Sequence, residues 1–234
     1  MTSDSIRNSQ TEAYKCARLF KQHEIELMLL LKNFLPKSFS GEVLDIGCAT
    51  GSALSLIKNE YPRALITGID VDGDLLKLAR EKLGVDATLI SSAAESYRPG
   101  KTFDLIIASG VLSIFDDFSQ ILKTWLNWLS RNGTLYIFGR FNSQNIDTRI
   151  RFRNLETSNR WESGLTSYSL KTISSFLDHQ NVKHEFIKFT YNMDLPKSND
   201  PIRTFTCKCD DGSRLGLNGA NILAEHYHLI IKKP

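Results

Sequence analysis

Apolar residues recur at three- and four-residue steps before Gly41, at Leu19, Ile25, Leu27, Met28, Leu30, Leu31 and Leu35. That period predicts one or two packing helices, and Pro36 punctuates their end. From Glu42 the period changes to short apolar runs alternating with helical ones: strand over 43–46, helix over 52–59, strand over 64–69, helix over 73–83. Further strands are predicted over 87–91, 103–108 and 134–138, apolar along their length as strands covered on both faces should be. Between the last two, Phe118, Ile121, Leu122, Trp125, Leu126 and Leu129 form one apolar stripe, with Asn132-Gly133 as its stop.

Beyond Gly139 the chain is polar to about Thr166, then reads as a helix over 170–179 and a strand over 185–191. Residues 192–222 have the look of an insertion, with 203–209 and 213–218 flanking Asp211-Gly212 as a hairpin. Residues 224–232 form the closing strand. Strands separated by helices imply βαβ units and a doubly wound parallel α/β sheet, whose ligands sit at the carboxyl ends of its strands.

Composition narrows the class. A chain of 234 residues with 41% hydrophobic and 24% charged residues and a net charge of +3 can bury a sizeable core. Cys16, Cys48, Cys207 and Cys209 are too few and too irregular for a secreted disulfide framework. Residues 1–10 are polar, and the most apolar run, 25–35, is interrupted by Glu26 and Lys32 and is too short to span a bilayer. A soluble cytoplasmic protein without a membrane partner is expected. Residues 140–234 carry 14 basic against 10 acidic side chains, too small an excess to argue for nucleic acid. It does point to an anion near the C-terminal part.

The sharpest local signal is Val43-Leu44-Asp45-Ile46-Gly47-Cys48-Ala49-Thr50-Gly51, an apolar strand running into a turn of small residues that opens a helix. Small residues let a ligand approach the backbone, and a helix N-terminus favours negative groups. Asp70 ends the next strand, 19 positions after Gly51, where a carboxylate can accept both ribose hydroxyls of an adenosine-containing ligand. A nicotinamide dehydrogenase would need glycines at Gly47, Ala49 and Ser52, and two of the three are missing.

On these residues the segment 42–139 resembles the class I S-adenosylmethionine-dependent methyltransferases. The family's acidic, glycine-rich first motif falls on Asp45, Gly47, Ala49 and Gly51, with alanine replacing one glycine, and Cys48 lies within it as buried turn filler. The resemblance implies S-adenosyl-L-methionine as cofactor, Asp70 on its ribose, Val71 against its adenine, Ala93 and Ala94 beside the adenine edge, and Ser109-Gly110 at the methionine end. It also implies a Rossmann-like seven-stranded sheet with an antiparallel last strand and helices on both faces. The expected organisation is one domain, with a helical cap over 1–40, a cofactor-binding core over 41–139, and an acceptor-side region over 140–234 carrying the hairpin near 193–222. A protein that binds the cofactor without transferring methyl groups carries the same motifs.

After the fourth strand stands Ala108-Ser109-Gly110-Val111, in place of the Asn/Asp-Pro-Pro-aromatic run of enzymes that methylate amino groups of nucleic-acid bases or protein amides. A small-molecule acceptor is therefore expected. The histidine that many small-molecule methyltransferases carry a few residues further on is replaced by Ile114. If the last strand is antiparallel, Glu225-His226 begins at the active-site edge, and His226, then Glu225, become the candidate bases for a hydroxyl acceptor. Arg140 and Tyr191 open at the same edge. Arg149 and Arg151, with Arg153 and Arg160 nearby, are candidates to clamp a phosphate or carboxylate, and Trp161 and Tyr168 to face a sugar ring. A nucleotide-linked sugar or a similar anionic metabolite fits that set. Cys207-x-Cys209 and His226-x-His228 share strand faces, but the cysteine spacing is too tight for a usual zinc site, and hairpin packing explains it. No metal is expected.

Overall fold

Strands that must be covered on both faces find that cover here. The computed structural model describes residues 21–155, 160–163, 166–198, 202–219 and 222–234. The first positions of the expected helical cap, Leu19 among them, lie outside these residues.

The elements run α1 (Gln22–Lys32), β1 (Glu42–Ile46), α2 (Ser52–Glu60), β2 (Leu65–Asp70), α3 (Gly73–Leu83), β3 (Ala87–Ser91), β4 (Phe103–Ser109), α4 (Ser119–Trp128) and β5 (Leu129–Asn142). Two short strands, β6 (Arg151–Phe152) and β7 (Glu162–Ser163), pair as a ribbon. Then come β8 (Tyr168–Ser169), α5 (Leu170–His179), β9 (Lys183–Lys188), β10 (Phe205–Lys208), β11 (Arg214–Leu217) and β12 (His226–Lys232).

The main sheet is ordered β3-β2-β1-β4-β5-β12-β9, and β8 pairs with the far end of β5 to make an eighth strand beyond the seven expected. β1 to β5 are parallel, and β12 is antiparallel to both β5 and β9. Chain order reverses between β1 and β4, so a cleft opens at their carboxyl ends.

Alternation along the strands separates two cores. Leu135, Ile137 and Phe141 of β5 pack with Tyr227, Leu229 and Ile231 of β12 beneath α4 and α5. Tyr136 and Phe138 of β5 and Ile230 of β12 face the other way, against Leu27 and Leu31 of α1 and Leu54 and Ile57 of α2. The helix ends are fixed locally. The Asp72 side chain accepts from the backbone N–H groups of Asp74 and Leu75 at the start of α3, and Ser169 accepts from Thr172 at the start of α5.

Two boundaries differ from the sequence reading. Leu129 leaves the helical stripe and pairs with Phe103, while the register resumes only at Thr134 opposite Leu105, so the intervening residues bulge. Asn132 sits there at φ 61, a left-handed conformation that asparagine tolerates. β5 also continues to Asn142, which places Arg140 inside the sheet, opposite His226. The 192–222 insertion contains the expected hairpin, β10 paired antiparallel to β11, turning at Gly212 with φ 83. No helix among the described residues is long and apolar enough to cross a membrane.

Candidate cofactor and acceptor site

The turn after β1 alternates left-handed residues, Gly47 at φ 72, Ala49 at φ 47 and Gly51 at φ 71. Its amides are held by the neighbouring strand: Gly47 and Cys48 donate to the Ile69 carbonyl at 2.8 and 3.0 Å, and Ala49 donates to Asp70 Oδ2 at 2.8 Å. A Cβ on Gly47 would stand 2.6 Å from Val111 Cγ2, so glycine is required there for space as well as for φ. Ala49 occupies the same backbone region with a side chain, a strained position that its bond to Asp70 helps hold. The Cys48 side chain is buried and packs over Gly68; burial and the Asp45 and Asp70 charges push its thiol far up, away from thiolate chemistry.

Asp70 also accepts from the Asp72 amide through Oδ1 at 2.9 Å, so the turn and the strand end form one unit. Val71 beside it is exposed and Ala94 is buried, while the Ala93 carbonyl accepts from Ser96 and Tyr97 in the next turn. These positions ring the carboxyl ends of β2 and β3.

The cleft itself measures about 790 Å³ including its open mouth and is lined by Lys21, His23, Glu24, Asp45, Gly47, Ala49, Ser109, Gly110 and Phe138 among others. Three of these come from α1 and the residue before it, and sequence reasoning missed them. Glu24 is buried and accepts from the Lys21 amide and the Ser52 hydroxyl at 2.8 and 2.9 Å. Gln22 clips α1 onto the chain after β9, donating to the Thr190 carbonyl at 2.7 Å and accepting from the Asn192 amide at 3.1 Å.

Asp45 tests whether the cleft suits the expected cofactor. Its side chain is 3% exposed, and burial followed by the Glu24 and Asp70 charges holds its carboxyl well above the usual range. Burial and mutual repulsion disfavour the ionised form of these clustered carboxyls, so an entering cation is what stabilises them as carboxylates, and S-adenosylmethionine brings two, its ammonium and its sulfonium. The residues fit the group.

At the neighbouring edge the sheet brings Arg140, His226 and Tyr191 together. His226 Nδ1 lies 2.8 Å from the Tyr191 hydroxyl and 3.3 Å from the Ala224 carbonyl, and its ring stacks at 5.4 Å on Phe138. Burial, then the Arg140 charge, lowers its pKa to about 3, and burial pushes Tyr191 up to about 12. Arg140 is buried, with its guanidinium donating to the Ile202 carbonyl at 3.0 Å and to the Thr204 hydroxyl at 3.2 Å. Glu225 is bound to Lys188 at 2.6 Å. His228 is internal, between the Tyr136 hydroxyl at 2.6 Å and Glu26 at 2.8 Å, while Cys207 is exposed on the hairpin.

The arginine group expected to clamp an anion does not converge as a unit. Arg151 pairs with Asp116, Arg153 lies 5.5 Å over the exposed Trp161 ring, and Arg149 shares a second cavity with Asp116, Asp117, Asp147 and Tyr168. Tyr168 is buried, and its hydroxyl donates to the Phe115 carbonyl. Asp117 accepts from the Ser119 amide and hydroxyl at the start of α4, and Asp147 from the Ser169 amide and the Thr172 hydroxyl at the start of α5, so both acids are engaged within the chain.

Residues 44–135 match the family model described as a methyltransferase domain. That stretch carries a methyltransferase domain, in keeping with the class I S-adenosylmethionine-dependent enzymes that its motifs resemble. The lining of the cleft suits S-adenosylmethionine, the cofactor that this resemblance implies. Among relatives, a trans-aconitate 2-methyltransferase of Afipia carboxidovorans is 30% identical over 103 residues, 44% of this chain and 40% of that protein. A malonyl-[acyl-carrier protein] O-methyltransferase of Priestia megaterium is 28% identical over 131 residues, 56% of this chain and 46% of that one. The chain thus spans less than half the length of the curated relatives it matches. Its fold extends further: an S-adenosylmethionine-bound amino pentose methyltransferase of Micromonospora echinaspora superposes with a TM-score of 0.60 at 12% identity, covering 98% of both chains.

Proposed function

We propose that this methyltransferase transfers a methyl group from S-adenosylmethionine to a carboxylate oxygen of an anionic small molecule. The observation that carries the reading is the state of the two groups at the acceptor edge best placed to act as bases. His226, with a pKa of about 3 and Nδ1 engaged, is a poor proton acceptor, and Glu225 is held by Lys188. A hydroxyl acceptor, which the sequence favoured, needs its proton removed. A carboxylate is already ionised near neutral pH and needs only in-line placement.

The cofactor supplies a methyl carbon activated by its sulfonium. The chain's residues do the placing: the Gly47–Gly51 turn gives close backbone approach, Asp70 offers ribose contacts, Asp45 and Glu24 hold positive charge, and the Arg140 guanidinium makes the acceptor edge favourable for an anion. The two relatives support the class, since both are named for carboxylate-bearing substrates.

The test is chemical. Protein incubated with methyl-labelled S-adenosylmethionine and trans-aconitate or malonyl-coenzyme A should yield label that alkali releases as volatile methanol, the behaviour of a methyl ester. Label that stays fixed in alkali, as in an ether or amine, would overturn the carboxylate assignment.

A further inference from the structure

His23 is neither a residue the family motifs point to nor one with a structural partner for its nitrogens. It stands in the first turn of α1, lines the cofactor cleft, and stacks face to face on Phe138 with centroids 4.3 Å apart and planes 3° from parallel. Phe138 carries His226 in a second near-parallel stack at 16°, so three rings from α1, β5 and β12 fix one another's positions. Neither His23 nitrogen has a hydrogen-bond partner among the described residues. A polar atom at a cleft wall without a protein partner is satisfied by water or by a ligand.

A second such group stands beside it. The Ser109 hydroxyl is buried without a hydrogen-bond partner, and Ser109 lines the same cleft. Ser109 pairs with Phe138 in the parallel ladder, and the Phe138 carbonyl accepts from the Gly110 amide at 2.7 Å. Directly opposed residues of parallel strands project to the same side of the sheet. The side that Phe138 presents to His23 therefore also carries Ser109.

We propose that His23 and Ser109 together hold the acceptor's carboxylate, one donating an imidazole N–H and the other a hydroxyl O–H, so that α1 completes the acceptor site as well as covering the cofactor. This rests on the transfer reading above and adds the residues that select the acceptor. A neutral imidazole suits the role, because it donates without competing as a cation with the methionine ammonium for Glu24 and Asp45.

His23→Phe keeps a ring to stack on Phe138 and deletes both nitrogens; His23→Gln keeps a donor; Ser109→Ala deletes the hydroxyl. Binding of S-adenosylhomocysteine is measured by calorimetry, and turnover is followed with trans-aconitate, malonyl-coenzyme A and, as a hydroxyl control, glucose. For whichever acceptor the wild type methylates, His23→Phe and Ser109→Ala are expected to raise KM at least tenfold. In His23→Phe, S-adenosylhomocysteine affinity should stay within twofold, and His23→Gln should recover much of the lost KM. An unchanged KM in His23→Phe, or a loss of S-adenosylhomocysteine affinity that accounts for the whole effect, overturns the assignment. Methylation of glucose alone, which has no carboxylate, overturns the transfer reading and this assignment with it, whereas methylation of a carboxylate acceptor with an unchanged KM in His23→Phe overturns this assignment alone. If no acceptor is methylated, both fall together.

Discussion

The cofactor half of the cleft and its acceptor half are built by different means. Around β1, β2 and β4 the cleft wall is mainly main chain, set by the left-handed residues at 47, 49 and 51 and locked by amides bonded to Ile69 and Asp70. Around β5 and β12 and the chain after β9 the wall is made of side chains, with His23, Phe138, Arg140, Tyr191 and His226 gathered from four segments far apart in sequence. The electrostatics differ as well. The cofactor half concentrates buried carboxyls, whereas the acceptor half holds half-buried neutral imidazoles beside a buried guanidinium. A main-chain site tolerates little variation in backbone; a side-chain site can change its acceptor by exchanging residues on a fixed sheet.

The largest expected effect breaks the main-chain half. Gly47→Ala places a methyl 2.6 Å from Val111 Cγ2 at φ 72, and calorimetry should show S-adenosylmethionine affinity reduced about 100-fold, the scale of a few kcal/mol. Adding Val111→Ala should restore only part of it, because the backbone strain stays.

Asp45→Asn separates binding from stability. Its folded pKa is raised, so the stabilising protonated state is complete at pH values below the unfolded pKa and is lost as pH rises through the folded one. The neutral amide avoids that loss. Without cofactor the variant should melt at the same temperature as wild type or a few degrees higher near pH 7, yet bind S-adenosylmethionine about tenfold more weakly.

The imidazoles act with the opposite sign. His23, His226 and His228 all have pKa values below 6.5, so the unfolded chain binds protons that the folded chain refuses. Their contribution is full above about pH 6.5 and is lost on acidification toward the folded values. The wild type should therefore lose several degrees of melting temperature between pH 8 and pH 5, and His226→Asn should flatten that slope. A melting temperature constant across the range would separate these rings from the stability of the acceptor half.

The smallest effect concerns Ala49. Replacing it with glycine relieves a left-handed alanine and should stabilise the fold by about 1 kcal/mol, less the extra entropy that glycine loses. Thermal melting resolves a shift of that size.

The same division explains what was legible in the sequence. The β1 turn, Asp70 and the order of strands and helices follow from local pattern, because each is made by residues close in the chain. His23 was not legible: it precedes the apolar run that marks α1, and its significance comes from Phe138, more than a hundred residues later. Arg149, Arg151 and Arg153 looked like a clamp because their counterparts, Asp117 and Asp116 near α4 and Trp161 across the ribbon, are tertiary neighbours. His226 was placed at the correct edge by topology, but its loss of basicity depends on burial and on Arg140 opposite it in the ladder.

The most direct test of the central claim is calorimetric titration of wild type, Gly47→Ala and Asp45→Asn with S-adenosylmethionine, S-adenosylhomocysteine and NADH. The account predicts one-to-one binding of the first two by wild type, weakened in both variants, and no heat from NADH. Binding of NADH alone, or S-adenosylmethionine affinity indifferent to both substitutions, would contradict it.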